Sequence, residues 1–160
     1  MPTISTRLGF LLGFLFCTLL LAVAAWFQFV RDLQPCPLCI SQRVVVLLVG
    51  FLHLTAWLHD RHPRLYGTLS GLTAMGGAFL SARHVWLQNL PEDEVPACGP
   101  GLGYVFRHFP LTETVRLLVS GTGECSEVLW TFLGLSIPAW TLLAFLLLAG
   151  WGFWLGWRRS

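Results

Sequence analysis

A chain of 160 residues that is 55% hydrophobic and only 11% charged stands well apart from water-soluble domains, which carry about 25% charged residues. Its length gives room for about one domain. The net charge of +2 rests on ten arginines and no lysine, scattered without a basic stripe, which argues against a nucleic-acid partner.

The first uncharged run, Leu8 to Val30, is 23 residues long, and a membrane helix needs about 20. Arg7 followed by Ala22-Val23-Ala24 has the look of a secretory signal, but a signal core spans only about 7–15 residues. This run continues through Trp26 and Phe27, so a retained spanning helix is expected over 8–30. The connection 31–39 contains Pro35-Cys36-Pro37-Leu38-Cys39. Pro37 suits the first position of a helix, where its missing N–H costs nothing. Cys36 then falls near the N-cap and Cys39 in the first turn, where the helix dipole favours a thiolate. A second span is expected over 40–58. Arg43 lies four residues beyond Cys39, on the same helical face. A lone arginine inside an apolar span is costly; it either snorkels to the headgroups or serves function, as a cation beside Cys39 that meets an electron-rich ligand oxygen.

The short loop 59–64, His59-Asp60-Arg61-His62-Pro63-Arg64, leads to a third span over 65–86. There Gly67-x-x-x-Gly71 and Gly76-Gly77 permit close helix contact. The long connection 87–127 contains Cys98, Cys125 and four prolines, Pro91, Pro96, Pro100 and Pro110. It reads as a loop with a short helix near 111–119 whose apolar residues lie on the membrane surface. The last span is expected over 129–156, with Pro138 kinking it or marking its entry. Trp151, Trp154 and Trp157 suit an interfacial belt. The fold class is therefore all-α, a four-helix transmembrane bundle with one long loop between helices 3 and 4.

Four spans put connections one and three on the same side by parity. Cys36, Cys39, Cys98 and Cys125 thus share one membrane face. The termini and loop 59–64 carry Arg7, Arg61, Arg64, Arg158 and Arg159 against Asp60, a net of +4. The third connection carries Arg107 and Arg116 against six acids, a net of −4. The positive side is cytoplasmic, so loops 31–39 and 87–127 face outward, into the periplasm if the cell is bacterial.

Disulfides persist in such a compartment. Cys17, mid-span, reads as a small apolar filler. The other four allow three pairings. Strong zinc patterns show two Cys-x-x-Cys pairs and this chain has one; Ile40 rather than histidine after Cys39 argues against covalent haem. No metal is expected. Two structural disulfides on a membrane scaffold are the serious rival. Yet a Cys-x-x-Cys bridge closes a tiny ring and removes little chain entropy, so reactivity explains it better. No Gly-rich phosphate loop is present. A membrane-embedded dithiol beside a cation points to a lipid-soluble two-electron acceptor, a quinone.

Several motifs, in order, resemble the DsbB family of bacterial inner-membrane disulfide-bond-formation proteins. They are Trp26-Phe27-Gln28, the run from Pro35 through Arg43, His84-Val85-Trp86-Leu87-Gln88, Pro96-Ala97-Cys98, Gly123-Glu124-Cys125-Ser126-Glu127, and Trp130 through Trp140. The resemblance covers nearly the whole chain. It implies a relay in which a periplasmic thioredoxin-fold oxidase, DsbA-like, is reoxidised and the electrons pass to ubiquinone or menaquinone. Carried over, Cys98 and Cys125 form the loop disulfide, with Cys98 making the mixed disulfide with the partner. Cys36 and Cys39 reoxidise that pair, Cys39 faces the quinone, and Arg43 and His84 fall at quinone-site positions. A vitamin-K-epoxide-reductase-like protein also combines four helices with Cys-x-x-Cys, but there the motif comes late in the bundle.

Overall fold

The computed structural model describes residues 5–91, 93–97 and 110–158. Four long helices dominate: α1 (Thr6–Phe29), α2 (Pro37–His59), α3 (Pro63–Gln88) and, after the loop, α5 (Ile137–Trp157). Between α3 and α5 lie a short helix α4 (Leu111–Ser120), a 3₁₀ turn (Gly123–Ser126) and a two-stranded antiparallel hairpin, β1 (Thr131–Phe132) with β2 (Leu135–Ser136). The protein is all-α in its frame, a four-helix membrane bundle.

Helices α1, α2 and α5 are each long and apolar enough to cross a membrane. Helix α3, at 26 residues, is about 39 Å long but is diluted by Gly, Ser and Thr. The reason is its position, packed between α2 and α5 with its most extensive contact on α5. Its buried face is Gly67, Ser70, Gly71, Ala74, Gly77, Ala78 and Ser81. Its outer face keeps the apolar girdle of its neighbours: Leu72 and Phe79 are exposed on α3, as are Leu19 on α1, Phe51 on α2 and Leu147 on α5. Large apolar side chains point outward and small or polar ones inward, the arrangement lipid selects.

The α3–α5 seam is backbone against backbone. A Cβ placed on Gly67 would come within 2.5 Å of the Gly152 carbonyl and 2.6 Å of Gly156 Cα. The small-residue spacing at 67 and 71 therefore does place two helices in direct contact.

Local chemistry sets the helix ends. Ser5 caps α1 by accepting from the Leu8 N–H at 3.2 Å. Pro37 and Pro63 open α2 and α3. Asp60 and His62 adopt left-handed φ of 47° and 53°, which turns the chain within three residues.

The last helix begins later than the apolar run does. The uncharged stretch from Val128 predicted a span from 129, but α5 starts at Ile137 with Pro138 in its first turn, so Pro138 marks an entry, not a kink. Leu133 (φ 52°) and Gly134 (φ 80°) form the turn of the hairpin, a two-residue geometry that matches strand twist. The hairpin is aromatic. Trp130 stacks on Phe132 (5.8 Å, 3°) and lies 4.9 Å from Phe27 at the end of α1, while Trp140 Nε1 donates to the Phe132 carbonyl at 3.1 Å.

Helix α4 exposes Val115 and Val119 and is tied to the bundle. Ser41 Oγ of α2 donates to the Leu118 carbonyl at 2.6 Å, and Arg83 Nε of α3 donates to the Ser120 carbonyl at 3.0 Å.

Candidate functional site

The first turn of α2 fixes the first two sulfurs. Cys36 is the N-cap residue, and its sulfur accepts from the Cys39 N–H at 3.3 Å. That bond satisfies one of the orphan donors every helix start leaves, and it puts both thiols on the same side. Their sulfurs are 2.9 Å apart, longer than the ~2.05 Å of a disulfide bond. Among the described residues, Cys17, Cys36, Cys39 and Cys125 are free thiols.

The third sulfur arrives from 89 residues further along the chain. Cys125, in the 3₁₀ turn, is fully buried and packs with Cys36, Leu38 and Leu87. The turn is seated by Gly121, whose φ of 77° and close approach to Leu38 and Leu87 leave no room for a side chain; a Cβ there would lie 2.8 Å from each. Cys36 Sγ, Cys125 Sγ and His84 Nε2 all fall within 4.8 Å of one another, with Cys36 Sγ at 3.8 Å from His84 Nε2. His84 is itself buried at 3% exposure, and its Nδ1 lies 3.2 Å from the buried Gln42 amide.

Electrostatics distinguish the two loop-side sulfurs. The contact with Cys36 holds the Cys125 thiol down to about 6, against the desolvation that raises it. The same contact, followed by that with Cys39, pushes Cys36 well above the ordinary thiol range. In the reduced protein Cys125 is therefore the thiolate at neutral pH and Cys36 carries the proton. The thiolate is the nucleophilic form.

Beside the sulfurs lies a cavity of about 410 Å³ that Cys36, Cys39, His84, Trp130, Ile137 and Pro138 help to line. Its size falls in the range of small-molecule sites. Arg43 stands apart from it. One turn deeper on α2, its guanidinium donates to Gln28 Oε1 and, at 3.1 Å, to the Ala24 carbonyl, both on α1.

The structure thus brings together Cys36, Cys39, Cys125 and His84. It places Arg43 against α1, and Cys98 lies outside the described residues. Two participants, Gln28 and Gln42, fell within motifs read from the sequence but were given no role there. Each was visible as an uncharged polar residue in an apolar stretch, and each turns out to hold a site residue, Arg43 or His84, in place.

Comparison with known proteins identifies the family. The family model of "Disulfide bond formation protein DsbB" matches residues 6–155. A disulfide bond formation protein B of Methylococcus capsulatus is 57% identical over 147 residues, covering 89% of this chain and 88% of the relative. Its counterpart in Nitrosococcus oceani is 51% identical, covering 94% and 91%. Disulfide bond formation protein B 1 of Pseudomonas aeruginosa is 42% identical, covering 94% of each. With four membrane helices, a cluster of free thiols at one end and these relatives, the chain belongs to the DsbB family, oxidoreductases of disulfide bond formation.

Proposed function

We propose that the protein is a membrane thiol oxidase of the bacterial inner membrane. It reoxidises a periplasmic DsbA-like dithiol oxidase and passes the electrons to membrane quinone, ubiquinone or menaquinone. The observation that carries this reading is the position of Cys36, in contact with Cys39 on one side and beside Cys125 on the other. One sulfur therefore joins the pair at the start of α2 to Cys125 of the loop that follows α3.

The steps balance as thiol–disulfide exchanges. The partner's dithiol reduces a Cys98–Cys125 disulfide through a mixed disulfide at Cys98; one disulfide forms in the partner as one is lost here. Cys125, as the thiolate, attacks Cys36 of a Cys36–Cys39 disulfide and Cys39 leaves. Cys98 then attacks Cys125, which restores the loop disulfide and releases Cys36. The result is a Cys36/Cys39 dithiol holding two electrons and two protons.

The residues present fit a quinone. The cavity next to Cys36 and Cys39 has an apolar side in Leu129, Trp130, Ile137 and Pro138, suited to a ring, and a polar side in Asp32, Gln88, Glu124 and Glu127. When bound there, quinone supplies a two-electron, two-proton acceptor. Cys39, half-buried at the start of α2 and lining the same cavity as Cys36, is the sulfur we assign to face it. Arg43, fixed by Gln28, offers a cation one turn deeper, and His84 stands by the same sulfurs.

The test is anaerobic mixing of the purified protein with a reduced thioredoxin-fold oxidase, with ubiquinone or menaquinone as sole acceptor. One quinol is expected per partner dithiol consumed. A scaffold with structural disulfides would yield none, and that result would overturn the reading. Cys98→Ser is expected to stop partner oxidation while quinone still oxidises Cys36 and Cys39.

A further inference from the structure

The sequence offers only one Cys-x-x-Cys, which argued against a metal. The fold changes the donor set. It adds a cysteine from the 3₁₀ turn and a histidine from α3 to the N-cap sulfur of α2. Cys36 Sγ, Cys125 Sγ and His84 Nε2 lie mutually within 4.8 Å. Around a single zinc ion, with Zn–S about 2.3 Å and Zn–N about 2.0–2.1 Å, neighbouring donor atoms sit roughly 3.5–4 Å apart. The Cys36–His84 separation of 3.8 Å already meets that spacing, and the other separations, at most 4.8 Å, need close by no more than about 1 Å through side-chain rotation.

We propose that the reduced protein binds one soft d¹⁰ cation, zinc(II) or copper(I), on Cys36 Sγ, Cys125 Sγ and His84 Nε2. Thiolate and imidazole are the donors such ions prefer. Three protein ligands leave a coordination position open, as in reactive zinc sites. Among the described residues Cys39, with its sulfur 2.9 Å from that of Cys36, is a further donor at hand.

The support behind His84 strengthens the assignment. A metal-bound histidine donates its other ring N–H to a fixed acceptor. The atom facing His84 Nδ1, 3.2 Å away, is the amide Nε2 of Gln42, itself 5% exposed. As found, Gln42 therefore donates to Nδ1. A carboxamide can present either its nitrogen or its oxygen to the ring. Turned over, Gln42 accepts from Nδ1–H, which frees the Nε2 lone pair for a cation.

The consequence concerns regulation and rests on the relay proposed above. Any disulfide through Cys36 or Cys125 removes a ligand, so the cation can enter only after the partner has delivered its electrons. Once bound, it holds the thiolates and blocks their oxidation. Free zinc or copper(I) outside the cell then halts the relay in its reduced form.

The test uses the full-length protein in detergent, reduced, freed of reductant under argon and titrated with Co²⁺, a spectroscopic stand-in for zinc. One equivalent should give thiolate-to-cobalt charge-transfer absorption that Zn²⁺ displaces. Cu⁺ affinity is read in parallel by competition with a chromophoric chelator, and stoichiometric binding in either arm supports the site. The disulfide-oxidised wild type should show neither signal, a control that needs no substitution. Cys125→Ser and His84→Ala should each lower affinity at least tenfold, Gln42→Leu about 10–100-fold with rescue by Gln42→Glu, while Cys17→Ala and Cys98→Ser should bind as the wild type does. Binding that survives oxidation, persists in His84→Ala, or vanishes in Cys98→Ser would overturn the assignment, as would no binding in either arm. Because the readout is metal affinity and not turnover, a failed relay and a failed metal site are told apart.

Discussion

At the α3–α5 seam, Gly67 meets Gly152 and Gly156 so closely that no side chain separates the two backbones. At the thiol end of the same bundle, Cys36, His84 and Cys125 face one another beside a cavity of about 410 Å³. Both regions are built from small residues in an apolar setting, yet one is dry and filled and the other polar and open on one side. Lipid tails give helices no hydrophobic reason to associate, so the seam relies on close van der Waals contact. That contact holds α3 in register and with it His84. Cys125 is as buried as the seam, at 0% exposure, but Cys36 and Cys39 border open space on one side, and only there can the sulfurs change partners.

The largest expected effect lies at the thiol end. Cys36→Ser removes the one sulfur that neighbours both Cys39 and Cys125, and quinol formation with reduced partner should fall by about 10³-fold or more. Stopped-flow quinone absorbance measures it, and helical circular dichroism should be unchanged. At the seam, Gly67→Val should instead cost at least about 1–3 kcal/mol by overpacking, seen as a lower thermal midpoint in detergent. Equal stability for that variant would mean α3 and α5 are not in backbone contact. Next comes Arg43→Met, which removes the cation one turn below Cys39 and its bonds to Gln28 and the Ala24 carbonyl; under the proposed function the KM for quinone should rise about tenfold. The rate of thiol exchange with the partner should hardly change.

The smallest effect is a shift in titration. In the reduced protein the Cys125 thiolate should persist as pH falls until about 6, read as the thiolate absorbance difference between wild type and Cys125→Ser. Cys36→Ala removes the contact that lowers this value, so the midpoint should rise toward the ordinary thiol range. The sign for stability follows. A group whose value is depressed on folding contributes stability above its unfolded value, near 8.5, and loses it as pH falls through about 6. Reduced wild type should therefore gain stability from pH 6 to 8.5 relative to Cys125→Ser.

Much of this could be read along the chain, because lipid imposes a one-dimensional signal. Runs without charge gave the helices, and Pro37 gave the start of α2 with Cys36 as its cap, as found. The start of α5 was hidden for a physical reason: residues 128–136 are as uncharged as the helix that follows, and only the positive φ of Leu133 and Gly134 makes them a hairpin. The meeting of Cys125 with Cys36 was hidden too. It depends on Gly121 seating the turn against Leu38 and Leu87, which no local pattern announces. Arg43 stood out as a charge in an apolar run, but its holder Gln28, fifteen residues earlier on another helix, did not.

Deep in the bundle, His53 is fully enclosed; its Nδ1 is 2.9 Å from the Val49 carbonyl and 3.1 Å from Ser70 Oγ. The opposite edge of the ring faces Gly13 of α1, where an added methyl would lie 2.2 Å from it. Positions 13 and 53 therefore form a lock whose two halves must be exchanged as a set. Anyone transplanting the first helix from a relative with a bulkier residue at 13 should shrink the imidazole in the same step, since the swapped segment will otherwise be held off its neighbour.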